Sequence, residues 1–143
     1  MNLREIIIHN VRSIKDATCH VSDYSMIVGE NNAGKTNMLM ALRLFYEDGG
    51  LKYKKDSDFP KFKTDDDESW VELAFQTTPD EQDGLKDEYK SDDNILRVRK
   101  YFQSDNRELV KASQSNIYAY EAGKLSTNLF YGAKNVSQAK LGN

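Results

Sequence analysis

The sequence predicts an α/β fold in which antiparallel strands pack on one helix, and that helix follows a phosphate-binding loop. Three observations lead there. Residues 29–36, Gly29-Glu30-Asn31-Asn32-Ala33-Gly34-Lys35-Thr36, fit the pattern G-x-x-x-x-G-K-[ST]. A short apolar run at 24–28 reads as a strand before the loop, and a helical period at 36–47 follows it. Later segments alternate apolar with polar residues and are parted by short turns, a pattern of antiparallel pairing rather than of regular strand–helix alternation.

The elements follow in chain order. Residues 3–10, containing Ile6-Ile7-Ile8, read as a first strand, and Ala17, Cys19 and Val21 alternate in a second. Ser22-Asp23 marks a turn into the strand that ends at Gly29. In the helix, Met38, Ala41, Leu42 and Phe45 share one face, and Leu39, Met40 and Leu44 widen it, which predicts burial on more than one side. Gly49-Gly50 stops the helix. Residues 48–69, rich in lysine and ending in Asp65-Asp66-Asp67-Glu68, read as a long exposed loop. Val71, Leu73 and Phe75 alternate in a strand with one buried face. Thr78, Pro79 and Glu81 form a helix start with a capping box, and that helix is expected to reach about Lys90. Further strands are expected at 95–103, 108–112 and 117–121, with a turn at Gly123.

The loop carries its own chemistry. Gly29 and Gly34 lack a Cβ, so the backbone can curl and turn its N–H groups toward phosphate oxygens. The helix that follows offers free N–H groups and its positive dipole end to an anion. Lys35 would reach the β- and γ-phosphates of a nucleoside triphosphate, and the Thr36 hydroxyl would ligate Mg²⁺. Glu30, Asn31, Asn32 and Ala33 complete the loop, and Asn37 in the first helical turn is a second polar candidate near the phosphates.

Composition sets bounds. With 143 residues the chain can bury one domain's core. Its net charge of −3 argues against a uniformly basic nucleic-acid binder. Cys19 is the lone cysteine, so no internal disulfide forms, which suits a cytoplasmic location. No apolar stretch approaches the roughly 20 residues of a membrane-spanning helix, so no membrane partner is expected. After residue 36, no apolar run ends in the acidic residue that nucleotide hydrolysis normally uses to hold Mg²⁺. The expectation is half of an ATP site, with the rest on a segment beyond residue 143 or on another chain.

The opening Met1-Asn2-Leu3-Arg4-Glu5-Ile6-Ile7-Ile8-His9-Asn10-Val11-Arg12-Ser13 resembles the start of ABC-type ATPase heads of the SMC, Rad50 and RecF group. Val11 stands where that group usually has Phe. The loop Gly-Glu-Asn-Asn-Ala-Gly-Lys-Thr-Asn at 29–37 resembles most the OLD (overcoming-lysogenization-defect) family, ATPases fused to a Toprim nuclease, several of which act in anti-phage defence. The resemblance is strong over 1–47 and faint over 69–143. It implies a P-loop NTPase of ABC/SMC-like head type, residues 1–143 being its N-terminal portion, with the signature motif, acidic strand and Toprim carboxylates beyond. It implies ATP and Mg²⁺ as cofactors, and a homodimer or higher homo-oligomer of heads closing on ATP. DNA would be engaged by the full-length protein. Some relatives of this kind are retron effectors, working with a reverse transcriptase and its RNA–DNA product.

The resemblance also implies that Arg12 and Ser13 lie near the nucleotide phosphates, where a guanidinium would add charge. Gln76 and Gln114 are candidates for the glutamine that contacts Mg²⁺ or the attacking water. Several features have plainer readings. Leu125-Ser126-Thr127 lacks the glycines of a signature motif, 65–68 reads as a solvated charge run, and His9, Cys19 and His20 lack metal-ligand spacing. Arg97, Arg99 and Tyr101 share a strand face, which is read as the outer face of a sheet before a DNA-facing stripe. Two other functions stay open: an SMC/Rad50/RecF-like repair head without its own nuclease, and a small phosphotransferase complete in itself.

Overall fold

A computed structural model describes residues 1–21, 32–107, 109–110, 115–121 and 124–125; for 32–35, 121 and 124–125 it describes the backbone. Among the described residues, six strands form one antiparallel sheet: β1 (Asn2–Val11), β2 (Ile14–His20), β3 (Ser69–Gln76), β4 (Ile95–Gln103), β5 (Asn116–Glu121) and β6 (Lys124–Leu125). Their order is β2-β1-β3-β4-β5-β6, and neighbouring strands run antiparallel throughout. Helix α1 (Asn32–Tyr46) packs on the sheet, with the short helices α2 (Lys55–Asp58) and α3 (Pro79–Asp83) in the connections.

Alternation sorts the strands into two faces. The first face carries the row Ile6–Leu73–Val98–Ala119, each opposite the next and each fully buried. Ala41, Leu42, Leu44 and Phe45 of α1 join the same apolar cluster. Met38 and Met40 pack at its margin, while Leu39 stays exposed, so the helix buries a wide arc but not its whole girth. Beyond α1, Glu47, Gly49 and Gly50 all adopt left-handed φ, and the two glycines make this sharp exit sterically easy. Lys100 reaches from β4 to the end of α1, where its Nζ donates to the Phe45 carbonyl at 2.7 Å.

The second face departs from expectation. Glu72 and Ala74 of β3 are buried as well, so this strand is covered on both sides. Glu72 accepts from Arg99 Nε at 3.0 Å and from the Tyr120 hydroxyl at 2.9 Å, and Arg97 pairs with Glu5 at 3.0 Å. The Arg99 guanidinium lies 3.6 Å from the centre of the Trp70 ring. The Arg97–Arg99–Tyr101 stripe is thus the wiring of this sheet face, with Tyr101 buried against Tyr118 and Val110.

Other boundaries moved for local reasons. The capping box forms: Glu81 N–H donates to Thr78 Oγ1 at 3.2 Å, and Thr78 N–H donates to Glu81 Oε1 at 2.9 Å. The helix stops at Asp83 rather than near Lys90, because Gly84 caps it and the chain turns inward to bury Leu85 and Tyr89. Leu109 and Val110 lie in a turn rather than a strand, since both their N–H groups donate to the Asn106 carbonyl. Residues 48–69 are exposed at most positions yet firmly anchored, with Asp58, Pro60 and Ser69 buried. The strand expected at 24–28 and the turns at 22–23 and Gly123 lie outside the described residues.

Candidate functional site

The candidate site is built where α1 begins. The helix is already formed at Asn32, so Asn32, Ala33, Gly34 and Lys35 lie in its first turn, directly followed by Thr36. No acidic residue occupies that turn, so nothing there repels an anion drawn to the helix N-terminus. Thr36 is exposed and Asn37 is half-buried. Gly29, Glu30 and Asn31, and the side chains of 32–35, lie outside what the structure describes.

The second wall is the turn between β1 and β2. Asn37 Nδ2 donates to Ser13 Oγ, which brings the second turn of α1 against the β1–β2 turn. Two residues distant in sequence and expected near the same phosphates are therefore neighbours. Arg12, beside Ser13, adopts a left-handed φ of 56°, unusual for a side chain of this size. Its N–H donates to the Asp58 carbonyl at 2.6 Å, and its Nη2 stands 3.0 Å from Asp58 Oδ1.

The turn is tied down further. Asn10, fully buried, donates to the Glu68 carbonyl at 2.8 Å and to Asp66 Oδ1 at 3.1 Å. The His9 ring sits between Asp16 at 2.6 Å and Asp66 at 2.9 Å, and stacks on Trp70. Burial disfavours the imidazolium, but hydrogen bonds and charge from the two carboxylates outweigh it, so the His9 pKa is raised. The same contacts hold Asp66 below the usual carboxylate range despite some burial. Lys15 pairs with Asp65 at 2.9 Å.

Other candidates fall elsewhere. Gln76 pairs with Asn2, at the opposite end of β1 from Arg12, and its Nε2 donates to the Asn94 carbonyl at 3.3 Å. At about 3.3 Å per residue, β1 puts roughly 30 Å between Gln76 and the β1–β2 turn, too far to share a magnesium with Thr36. Gln114 lies outside the described residues, as do Ser126 and Thr127. Among the described residues no group of His, Cys, Asp or Glu is arranged to hold a metal. Burial pushes the Cys19 thiol up, away from nucleophilic use. A cleft of about 480 Å³, lined by residues including Glu72, Tyr89, Arg97 and Tyr120, lies on the sheet face away from α1. Sequence reasoning missed Asp58, Asn10 and His9 as the supports of the site. His9 and Asn10 give only the signal of polar residues directly after Ile6-Ile7-Ile8, and Asp58, in a lysine-rich connection, gives none.

A profile described as an AAA ATPase domain matches residues 1–142. The chain belongs to this family. The chain is 28% identical over 126 residues to the DNA replication and repair protein RecF of Rickettsia massiliae (strain Mtu5), covering 87% of this chain and 31% of that protein. It is 34% identical over 76 residues to the RecF of Rickettsia canadensis (strain McKiel), covering 52% of this chain and 21% of that one. This AAA ATPase domain chain therefore spans less than a third of either curated relative. A solved structure from work on ATP-driven dimerisation and DNA-stimulated activation of SMC ATPases superposes with a TM-score of 0.55 at 16% identity, covering 88% of this chain and 72% of that one. The fold is that of a P-loop, ABC/SMC-like ATPase head, as the loop motif and the antiparallel strands led one to expect. Among the described residues no helix is long and apolar enough to cross a membrane.

Proposed function

We propose that this chain is the nucleotide-binding half of an ATPase head that closes on ATP as a dimer and governs a Toprim-type endonuclease of the OLD kind. The observation that carries the nucleotide part is the Asn37–Ser13 hydrogen bond, which sets the β1–β2 turn against the helix that begins inside the phosphate-loop motif. Lys35 would bring its ammonium to the β- and γ-phosphates, and Gly29 to Gly34 would supply backbone N–H groups. Thr36, an exposed residue directly after that first turn, would offer its hydroxyl to Mg²⁺, a hard cation that prefers oxygen ligands. Arg12 adds a cation beside Ser13. ATP and magnesium would then be the ligands that the head's two states bind unequally, which is what lets a nucleotide drive closure.

The nuclease, the defence role and a retron reverse transcriptase with its RNA–DNA product as partners rest on the likeness of residues 29–37 to the OLD family. The similarity to RecF supports a second reading, a repair-type head without its own nuclease. Full-length protein, wild type beside Lys35→Ala, separates them when ATP binding, ATP turnover and DNA cleavage are measured together. Loss of nucleotide binding with altered cleavage upholds the ATP-governed nuclease. ATP binding through Lys35 with no DNA ever cut removes the nuclease and leaves the repair-type head.

A further inference from the structure

We propose that Asp58 is a positioning residue for the nucleotide site: it holds Arg12, main chain and side chain together, in the orientation that meets the phosphates. This rests on the ATP-binding reading above.

Two independent contacts join the pair. Asp58 accepts the Arg12 N–H on its own carbonyl at 2.6 Å, and its carboxylate stands 3.0 Å from Arg12 Nη2. The carboxylate side chain is only 3% exposed, whereas the arginine side chain is 35% exposed. The acid therefore stands behind the base, whose side chain keeps a solvent-facing part. A guanidinium carries five N–H donors in a rigid fork, so one edge can rest on Asp58 while another accepts an anion. Arg12 Nε and Asp58 Oδ1 are both buried and make no hydrogen bond among the described residues, so the 3.0 Å contact is an ion pair rather than a directed bond.

The backbone is held as deliberately as the side chain. Left-handed φ angles at Asn10 (51°) and Arg12 (56°) bracket the fully buried Val11. An arginine persists in that region only where its surroundings over-determine it. The Asp58 carbonyl supplies one such restraint, and Asn10 supplies another through Glu68 and Asp66. Asp58 is itself fixed, because its Oδ2 accepts the Lys54 N–H at 2.7 Å. That local cap would satisfy a purely structural aspartate. Reaching Arg12 as well does nothing for the four-residue helix α2 and fixes the residue adjoining Ser13, which already touches α1 through Asn37.

A long cation that must be ordered on binding loses rotamer freedom at that moment, whereas one ordered beforehand does not. Removing the Asp58 charge frees Arg12 and should weaken ATP binding about tenfold on that account. Asp58→Asn retains an acceptor for the Lys54 N–H and removes the ion pair.

The test uses full-length wild type, Asp58→Asn, Arg12→Gln, the double variant and Lys35→Ala. Dissociation constants for a fluorescent ATP analogue are measured alongside thermal melting. The expected result is about tenfold weaker binding for Asp58→Asn when Arg12 is present and no further loss in the Arg12→Gln background. An affinity within twofold of wild type, or an equal loss in both backgrounds, overturns the assignment. Should Asp58→Asn not fold, Asp58→Glu displaces the carboxylate by one methylene, and the same coupling with Arg12→Gln is read. Unchanged affinity in Lys35→Ala overturns the nucleotide reading itself; loss there with no effect of Asp58→Asn overturns only the role of Asp58.

Discussion

Glu72 is the residue whose removal tests the architecture most sharply. It lies mid-sheet with its side chain 5% exposed, and the side chain of Arg99, with which it pairs at 2.9 Å, is 18% exposed. Among the described residues, Glu72→Ala leaves that cation with no other carboxylate in ion-pair range, since Glu5 pairs with Arg97. Breaking a buried pair from one side typically costs about 3–5 kcal/mol. Arg99 keeps the Trp70 ring and the hydroxyls of Tyr101 and Tyr120, which points to the lower end, about 3 kcal/mol. With a urea slope of about 2 kcal/mol/M, the unfolding midpoint should fall by about 1.5 M. Trp70 is the single tryptophan and touches the guanidinium, so its fluorescence follows both the local change and global unfolding. Replacing both partners, Glu72→Met with Arg99→Met, removes the stranded charge and should recover all but about 1 kcal/mol. A midpoint shift below about 0.3 M for Glu72→Ala would refute the reasoning, as would a double variant no better than the single one.

Three further outcomes are expected. His9 has a raised pKa, so its contribution is complete below about pH 6.5, the unfolded value, and is lost as pH rises through the higher folded value. The stability difference between wild type and His9→Gln should therefore be larger at pH 6 than at pH 8.5; equal differences in denaturant titrations at the two pH values count against the Asp16–His9–Asp66 arrangement. Thr78→Ala removes half of a capping box and should lower stability by about 1 kcal/mol, while Thr78→Ser should restore most of it in the same melts. Leu73→Ala opens a hole at the centre of the buried row and should cost about 2–5 kcal/mol by urea denaturation, whereas the exposed Leu39→Ala should cost well under 1 kcal/mol.

Why some of this was legible follows from the range of each signal. Ile6-Ile7-Ile8 and Ile95-Leu96 announce strands because the apolar period is local, and the Thr78-Pro79-Glu81 start is legible because capping acts within one turn. Glu72 misled because alternation says which residues share a face but not what covers it. The missing information is the register that sets Glu72 opposite Arg99, a pairing across 27 residues. Asp58 was harder still, since it sits in a lysine-rich connection and its partner lies at the end of β1. Gln76 was misplaced for a related reason: a strand end can face either end of a sheet, and the antiparallel β1–β3 register decides which. The phosphate loop was the reverse case. Its pattern is a contiguous motif that needs no register to be read, and the family match over 1–142 agrees with the fold it predicts.

Under the proposed function, the same geometry explains how a thin antiparallel sheet would present a helix N-terminus firmly enough to hold a multiply charged ligand. Helix α1 is fastened near both ends to different strands. Near its start, Asn37 is tied to Ser13 at the β1–β2 turn; at its finish, Lys100 of β4 donates to the Phe45 carbonyl and pairs with Glu47 at 3.3 Å. Burial pulls the Lys100 pKa down against the attraction of Glu47, so keeping an ammonium there has a real desolvation cost. An ammonium at a helix C-terminus interacts favourably with the dipole and satisfies a carbonyl that has no partner within the helix. Between these two ties, Ala41, Leu42, Leu44 and Phe45 lock the barrel of the helix onto Ile6, Leu73 and Val98. A helix held in this way cannot slide along its axis or tilt without breaking a polar tie as well as the apolar contact. Under that reading, the N–H groups of the described first turn would be ordered before any anion arrives, and binding energy would not be diverted into ordering them.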